Sequence, residues 1–159
     1  MRIIGGKNKG KKIDLPTDEK TRPLRDLVKE SIFNLILHSN KITCVLANSL
    51  ILDLFSGTGS FGLECYSRGA KYVTFVENYF SALKILKKNI ASISANNSTK
   101  IIEKDCFQYF ETQQSLTNKY DFIFLDPPYK ERKVNLLIDK IKEGQILKKN
   151  GIIILHRHK

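Results

Sequence analysis

No stretch of this 159-residue sequence approaches the ~20 consecutive apolar residues that a membrane-spanning helix needs. The basic amino terminus lacks an apolar segment followed by a small-residue cleavage site, so no signal peptide is expected and the expected location is cytoplasmic. Cysteine is sparse. Cys44, Cys65 and Cys106 make no CxxC pair and no metal-ligand spacing, so they are read as reduced thiols in or near the core, and no metal site is expected. His38, His156 and His158 lack a partner pattern, and the two at the tail are expected in solvent. No internal repeat or low-complexity segment breaks the chain. It reads as one domain over 1–159, with a basic arm or hairpin at 1–22 and a core at 23–159.

Acidic residues are the other shortage. The 16 Asp and Glu face 27 Lys and Arg, leaving a formal charge of +11. A surplus of that size favours a polyanionic partner. Its placement sharpens the point. Arg2, Lys7, Lys9, Lys11, Lys12, Lys20, Arg22 and Arg25 crowd the amino terminus, opposed by Asp14, Asp18 and Glu19. A basic arm beside a globular core suits a phosphate-tracking surface.

What is present supports a packed interior: hydrophobic residues make up 42% of the chain. Residues 1–16 predict a small hairpin or extended arm that turns at Gly5-Gly6 and closes at Pro16. Pro23 suits a first helical turn. Leu24, Leu27, Val28, Ile32, Leu35 and Ile36 follow at helical spacing, predicting a helix to about His38. Five apolar runs then alternate with helical stretches. The runs are 50–55, 71–76, 100–102, 122–125 (within a strand from Tyr120) and 152–155; the helices are 60–68, 79–93, 106–111 and 132–143. Strands that are apolar on both faces and alternate with helices predict an α/β fold with a mostly parallel sheet covered on both sides.

The first strand runs into Asp53-Leu54-Phe55-Ser56-Gly57-Thr58-Gly59-Ser60-Phe61-Gly62. Gly57, Gly59 and Gly62 match GxGxxG in the strand-to-helix context that the motif requires. Glu77 ends the second strand and could accept hydrogen bonds from both ribose hydroxyls. Asp105 ends the third, where a carboxylate could meet an adenine amine. A dinucleotide and S-adenosylmethionine would both want a nucleoside held in this way.

The fourth strand ends in Asp126-Pro127-Pro128-Tyr129. These residues suit a planar exocyclic amine, a poor nucleophile because its lone pair is delocalised into the ring. The Asp126 carboxylate and the Pro127 carbonyl could hold its two hydrogens and turn the lone pair toward a methyl donor. Consecutive prolines stiffen the turn, and Tyr129 offers a ring on which a base can stack. A base must leave its stack to arrive there.

Arg2-Ile3-Ile4-Gly5-Gly6, Arg22-Pro23, Glu30-Ser31-Ile32-Phe33-Asn34, Asp53 to Gly62 and Asp126 to Tyr129 together resemble the RsmD-type methyltransferases, over nearly the whole chain. That family modifies guanine at N2 in small-subunit (16S) ribosomal RNA. The resemblance implies a Rossmann-like class I S-adenosylmethionine methyltransferase fold with sheet order 3-2-1-4-5. It implies Asp53, Ser56, Gly57 and Gly59 around the methionine part of S-adenosylmethionine, Glu77 on the ribose, and Asp105 with the Cys106 backbone on the adenine. It implies Asp126 and Pro127 on the guanine amine with Tyr129 stacked on the base. Arg22 and the arm (Arg2, Lys7, Lys9, Lys11, Lys12) would contact ribosomal RNA or a partly assembled small subunit. Two departures stand out: Leu24 replaces the usual Thr after Arg-Pro, and the sequence stops just after strand five. The expectation is therefore a sheet without the family's closing carboxy-terminal hairpin. A monomer is expected, with the strand-five edge as the route to any dimer and the His156-Arg157-His158-Lys159 cluster guarding that edge. Three rivals share these motifs: an adenine-N6 DNA methyltransferase, a non-enzymatic RNA-binding remnant of the fold and a nucleotide-dependent oxidoreductase.

Overall fold

The computed structural model describes residues 1–18, 24–112 and 119–157. Lys20, Arg22, Pro23, His158 and Lys159 lie outside the described residues. Five strands, β1 (Leu50–Leu54), β2 (Tyr72–Val76), β3 (Thr99–Ile102), β4 (Tyr120–Leu125) and β5 (Leu147–Leu155), form one sheet in the order β3-β2-β1-β4-β5. Every pairing is parallel. Among the described residues five α-helices accompany them: α1 (Asp26–His38), α2 (Ser60–Ser67), α3 (Phe80–Ser92), α4 (Cys106–Thr112) and α5 (Val134–Glu143).

Alternate strand residues point to opposite faces. Ile51, Val73, Phe75, Phe122 and Phe124 therefore join one core with α1, α2 and α3. Leu52, Leu54, Val76, Ile123 and Leu125 join a second with α4 and α5. The strands and helices predicted from apolar runs are all present. β5 starts at Leu147, earlier than the run at 152–155, because its pairing with β4 continues through a register irregularity near Tyr120 and Phe122.

One expectation needs correction. In α1, the apolar positions Leu27 and Leu35 are 75% and 64% exposed. The buried stripe is Lys29, Phe33 and Ile36. A lysine at its centre hid that stripe from a hydrophobicity count. The Lys29 ammonium donates to the Arg2 carbonyl at 2.6 Å and lies 3.6 Å from the buried Glu64 carboxylate.

Of the hairpin or extended arm expected at the amino terminus, the structure has the hairpin, closed by an Arg2–Lys12 antiparallel bridge and packed on the core. Ile3 and Ile13 are buried in the core. The hairpin lies along α2: the Ile4 and Gly5 N–H groups donate to the Glu64 carboxylate at 2.9 and 2.8 Å. The Lys7 N–H donates to the Ser67 carbonyl at 2.8 Å. Gly5 and Gly6 are needed for this approach. A methyl on Gly5 would strike the Arg68 guanidinium, and one on Gly6 (φ 75°) would strike the Ser67 backbone. α2 is thus enclosed between sheet and hairpin, which is why its polar residues Ser60, Glu64 and Ser67 are buried.

Candidate active site

β1 and β4 are neighbours, and Leu54 pairs with Leu125. The glycine turn and the Asp126 turn therefore leave the same end of the sheet side by side. Three stacked rings fix that geometry from behind: Phe33 on α1, Phe61 on α2 and Phe124 on β4, with centroid separations of 5.3 and 4.0 Å.

The glycine turn has left-handed backbone at Phe55 (φ 59°), Gly57 (φ 55°) and Gly59 (φ 84°). Gly62 serves packing instead, since a side chain there would collide with the Phe75 ring on β2. The end of β2 holds the turn. The Ser56 N–H and hydroxyl both donate to the Val76 carbonyl, at 3.1 and 3.2 Å. Glu77 accepts from Gly57 N–H at 2.7 Å through one oxygen and from Asn78 and Tyr79 N–H at 2.9 and 2.8 Å through the other. The oxygen that accepts from Gly57 has a second lone pair, so it keeps acceptor capacity for a ligand, while the other already accepts two bonds.

These elements enclose a cavity of about 700 Å³. Its walls bring together Asp53, Ser56, Gly57, Glu77, Asp105, Asp126, Pro127, Pro128 and Tyr129. Gly59 and Cys106 stand behind the wall: Gly59 caps α2 and Cys106 is buried against the second core. Burial pushes the Cys106 thiol far up, so it stays protonated. Asp105 accepts from the Phe107 N–H at 2.8 Å, so it caps α4 as well as facing the cavity. Tyr129 is 68% exposed at the rim.

Asp53 is the most constrained of these groups. It is buried, and one oxygen accepts from the Gly62 N–H at 3.0 Å. The other oxygen has no hydrogen-bond partner among the described residues. Burial pushes its carboxyl well above the usual carboxylate range; the Gly62 bond opposes this and the nearby Asp126 and Glu77 carboxylates add to it. An unsatisfied acidic oxygen on a cavity wall calls for a cationic or hydrogen-donating ligand.

His156 corrects the expectation of a solvated tail. Its Nδ1 lies 2.7 Å from Asp126 Oδ1, and the two side chains are 17% and 23% exposed. The cause is register. Leu155 pairs with Leu125, and the His156 N–H donates to the Leu125 carbonyl at 2.9 Å, so the residue after β5 lands beside the residue after β4. Counting one residue past each of two adjacent parallel strands would have found it. Arg157 also turns back, donating to the Glu131 carbonyl at 2.9 Å. The described part of the basic tail thus braces the Asp126 turn, where it was expected to guard the β5 edge.

Sequence reasoning missed Lys130 and counted Arg25 only in the basic amino-terminal cluster; both are exposed and line the cavity. Arg2, Lys7, Lys9, Lys11 and Lys12 are exposed along the hairpin. The hairpin begins at the cavity end of α2, where the Ser60 hydroxyl donates to the Met1 sulfur. Its turn reaches the other end, about 12 Å away for an eight-residue helix. No group of three or more His, Cys, Asp or Glu side chains among the described residues could hold a metal ion, and no described helix is long and apolar enough to cross a membrane.

A 3-2-1-4-5 parallel sheet, a glycine turn after β1 and Asp-Pro-Pro-Tyr after β4 around one cavity define a Rossmann-like class I methyltransferase. The profile of the family described as "Conserved hypothetical protein 95" matches residues 1–159, and the chain belongs to that family, the RsmD-type group that its motifs resemble. YlbH of Bacillus subtilis is 34% identical over 154 residues, covering 97% of this chain and 80% of that protein. "Ribosomal RNA small subunit methyltransferase D" of Haemophilus influenzae is 32% identical over 160 residues, covering 100% of this chain and 79% of that protein. The solved structure of Escherichia coli yhhF superposes with a TM-score of 0.81 at 26% identity, covering 96% of this chain and 78% of that one.

Proposed function

We propose that this protein transfers a methyl group from S-adenosylmethionine to the exocyclic N2 amine of a guanine in small-subunit (16S) ribosomal RNA. The observation that carries the reading is the shared cavity between the glycine turn and the Asp126 turn. The residues present fit the cofactor. The unpartnered Asp53 oxygen suits the cationic methionine end, Glu77 has acceptor capacity left for a ribose hydroxyl, and Asp105 faces the same space. Bound there, S-adenosylmethionine supplies an electrophilic methyl group.

The chain's own part is orientation and electrostatics. Asp126 carboxylate and Pro127 carbonyl accept the two amine hydrogens and turn the lone pair out of the ring plane. Two prolines fix φ in the turn, so the acceptors arrive already oriented. The exposed Tyr129 ring gives the extruded base a face to stack on. Arg25 and Lys130 on the cavity lining, with the hairpin's basic residues beyond, offer phosphate contacts from the target base outward. The decisive test is mass mapping of ribosomal RNA from cells with and without the protein. One N2-methylguanosine missing from 16S RNA in the cells without it supports the reading; an unchanged map, with activity on duplex DNA adenine, replaces it.

Asp53 yields a prediction with a definite sign. The unfolded chain ionises this carboxyl near 3.8, while the folded chain holds its proton to higher pH. Between those values the folded state binds more protons, so this group's contribution to stability falls as pH rises. Asp53→Asn is therefore expected to raise the melting temperature of ligand-free protein at pH 7, by roughly 2–4 °C per kcal/mol relieved. The gain should vanish below pH 3.8. The same variant should bind S-adenosylmethionine at least about tenfold more weakly, the effect of removing one charge-assisted hydrogen bond. Melting curves across pH and calorimetry check both parts; unchanged affinity would remove Asp53 from the cofactor site.

The hairpin yields another. Replacing Lys9, Lys11 and Lys12 with Ala should weaken RNA binding and flatten its salt dependence, by up to about 0.7 in log–log slope for each single-strand phosphate that these lysines neutralise. An unchanged slope would place the RNA elsewhere.

A further inference from the structure

We infer that His156 is a positioning residue for methyl transfer: its Nδ1–H, given to Asp126 Oδ1, sets the plane of the carboxylate that receives the target amine. The inference deepens the functional reading above and rests on it. A carboxylate acts only as an acceptor, so the 2.7 Å contact makes Nδ1 the donor and fixes the tautomer. Asp126 has two side-chain torsions, and the strand fixes neither of them. One short bond from a residue whose own backbone is tied to β4 removes that freedom.

The holding is visible. The His156 N–H is tied to the Leu125 carbonyl, one residue before Asp126. Arg157 is tied to the Glu131 carbonyl, beyond Tyr129. The end of β5 thus brackets the whole turn that presents the base-binding groups, touching it just before and just after. Displacing a catalytic group by about 1 Å can lower a rate roughly a hundredfold, so this brace matters for turnover more than for binding.

Two measurements test it on the whole 159-residue chain. Nitrogen-15 NMR should show His156 protonated at Nδ1, with that proton signal disappearing in Asp126→Ala. A ring protonated at Nε2 alone, or a signal indifferent to Asp126→Ala, overturns the inference. This measurement needs no change at His156, so a poorly folding variant cannot shield the idea. Kinetically, His156→Leu should lower kcat by about 10–100-fold with KM values for S-adenosylmethionine and RNA within about twofold. His156→Asn, which keeps a donor, should recover most of that loss. A merely structural role would lower melting temperature and shift KM with no rescue by Asn. Wild-type turnover that His156→Leu leaves intact overturns the inference alone. Wild-type protein that transfers no methyl group to ribosomal RNA overturns the functional reading and this inference with it.

Discussion

Asp126→Ala is expected to lower kcat by about a thousandfold while the protein still binds S-adenosylmethionine. In the proposed mechanism the amine gains positive charge as it is methylated, and the Asp126 carboxylate at the end of β4 would be the charged group that meets it. Losing one preorganised electrostatic partner typically costs about 10²–10³ in kcat, and losing orientation adds to that. Asp126→Asn keeps one carbonyl oxygen for the amine or for His156 but no negative charge, so it should fall between wild type and alanine. Cofactor affinity should change little. Asp126 is one of the carboxylates whose proximity raises the proton affinity of Asp53, so removing its charge eases ionisation of Asp53 while taking one negative charge from the cavity wall, and the two effects on a cationic ligand oppose each other. Single-turnover transfer with radiolabelled cofactor gives the rate, and calorimetry gives the affinity. Full turnover in Asp126→Ala would end the mechanism. Abolished cofactor binding would show that the residue acts on the wrong partner.

The sequence carried the parts of this site that depend on neighbours along the chain. The strand runs, the glycine turn and Asp126-Pro127-Pro128-Tyr129 are local patterns, and one local rule locates each of them. Their convergence was legible too, because adjacent parallel strands deliver their following turns to one end of the sheet. What stayed hidden is made by residues distant in sequence. His156 reaches Asp126 across 30 residues, and Gly5 reaches Glu64 across 59. A lone histidine at the tail and a glutamate in mid-helix carry no local signal of such pairing. Lys29 misled in another way: a cation inside an apolar stripe reads as the stripe's edge. Glu77 and Asp105 each bond backbone N–H groups while facing the cavity, so their geometry is compatible with holding a turn and meeting a ligand at once.

Glu64→Ala is expected to destabilise the protein by about 3–5 kcal/mol, the usual cost of leaving a buried charge without its partner. The Glu64 side chain ties α2 to both the hairpin and α1. Its carboxylate accepts from the Ile4 and Gly5 N–H groups and from Arg68 Nε at 2.8 Å, and it faces the Lys29 ammonium at 3.6 Å. Burial lowers the proton affinity of Lys29, and Glu64 is the strongest influence opposing that shift. Without Glu64 the ammonium keeps Asp26 at 3.7 Å and the Arg2 carbonyl but loses its strongest compensating charge, and two hairpin N–H groups lose their acceptor. The melting temperature should fall by roughly 10 °C or more, given ~2–4 °C per kcal/mol for a chain of this size. The pattern across variants separates charge from packing. Replacing both partners, as Lys29→Met with Glu64→Gln, removes the stranded charge and keeps one acceptor, so it should cost less than Glu64→Ala alone. The hairpin should come loose first, which limited proteolysis between Lys7 and Lys12 would detect. Because that hairpin carries the basic track beside α2, the undocked protein should keep cofactor affinity and lose RNA affinity. A Glu64→Ala variant as stable as wild type, with its hairpin still protected, would mean that Ile3 and Ile13 hold the hairpin by apolar burial alone.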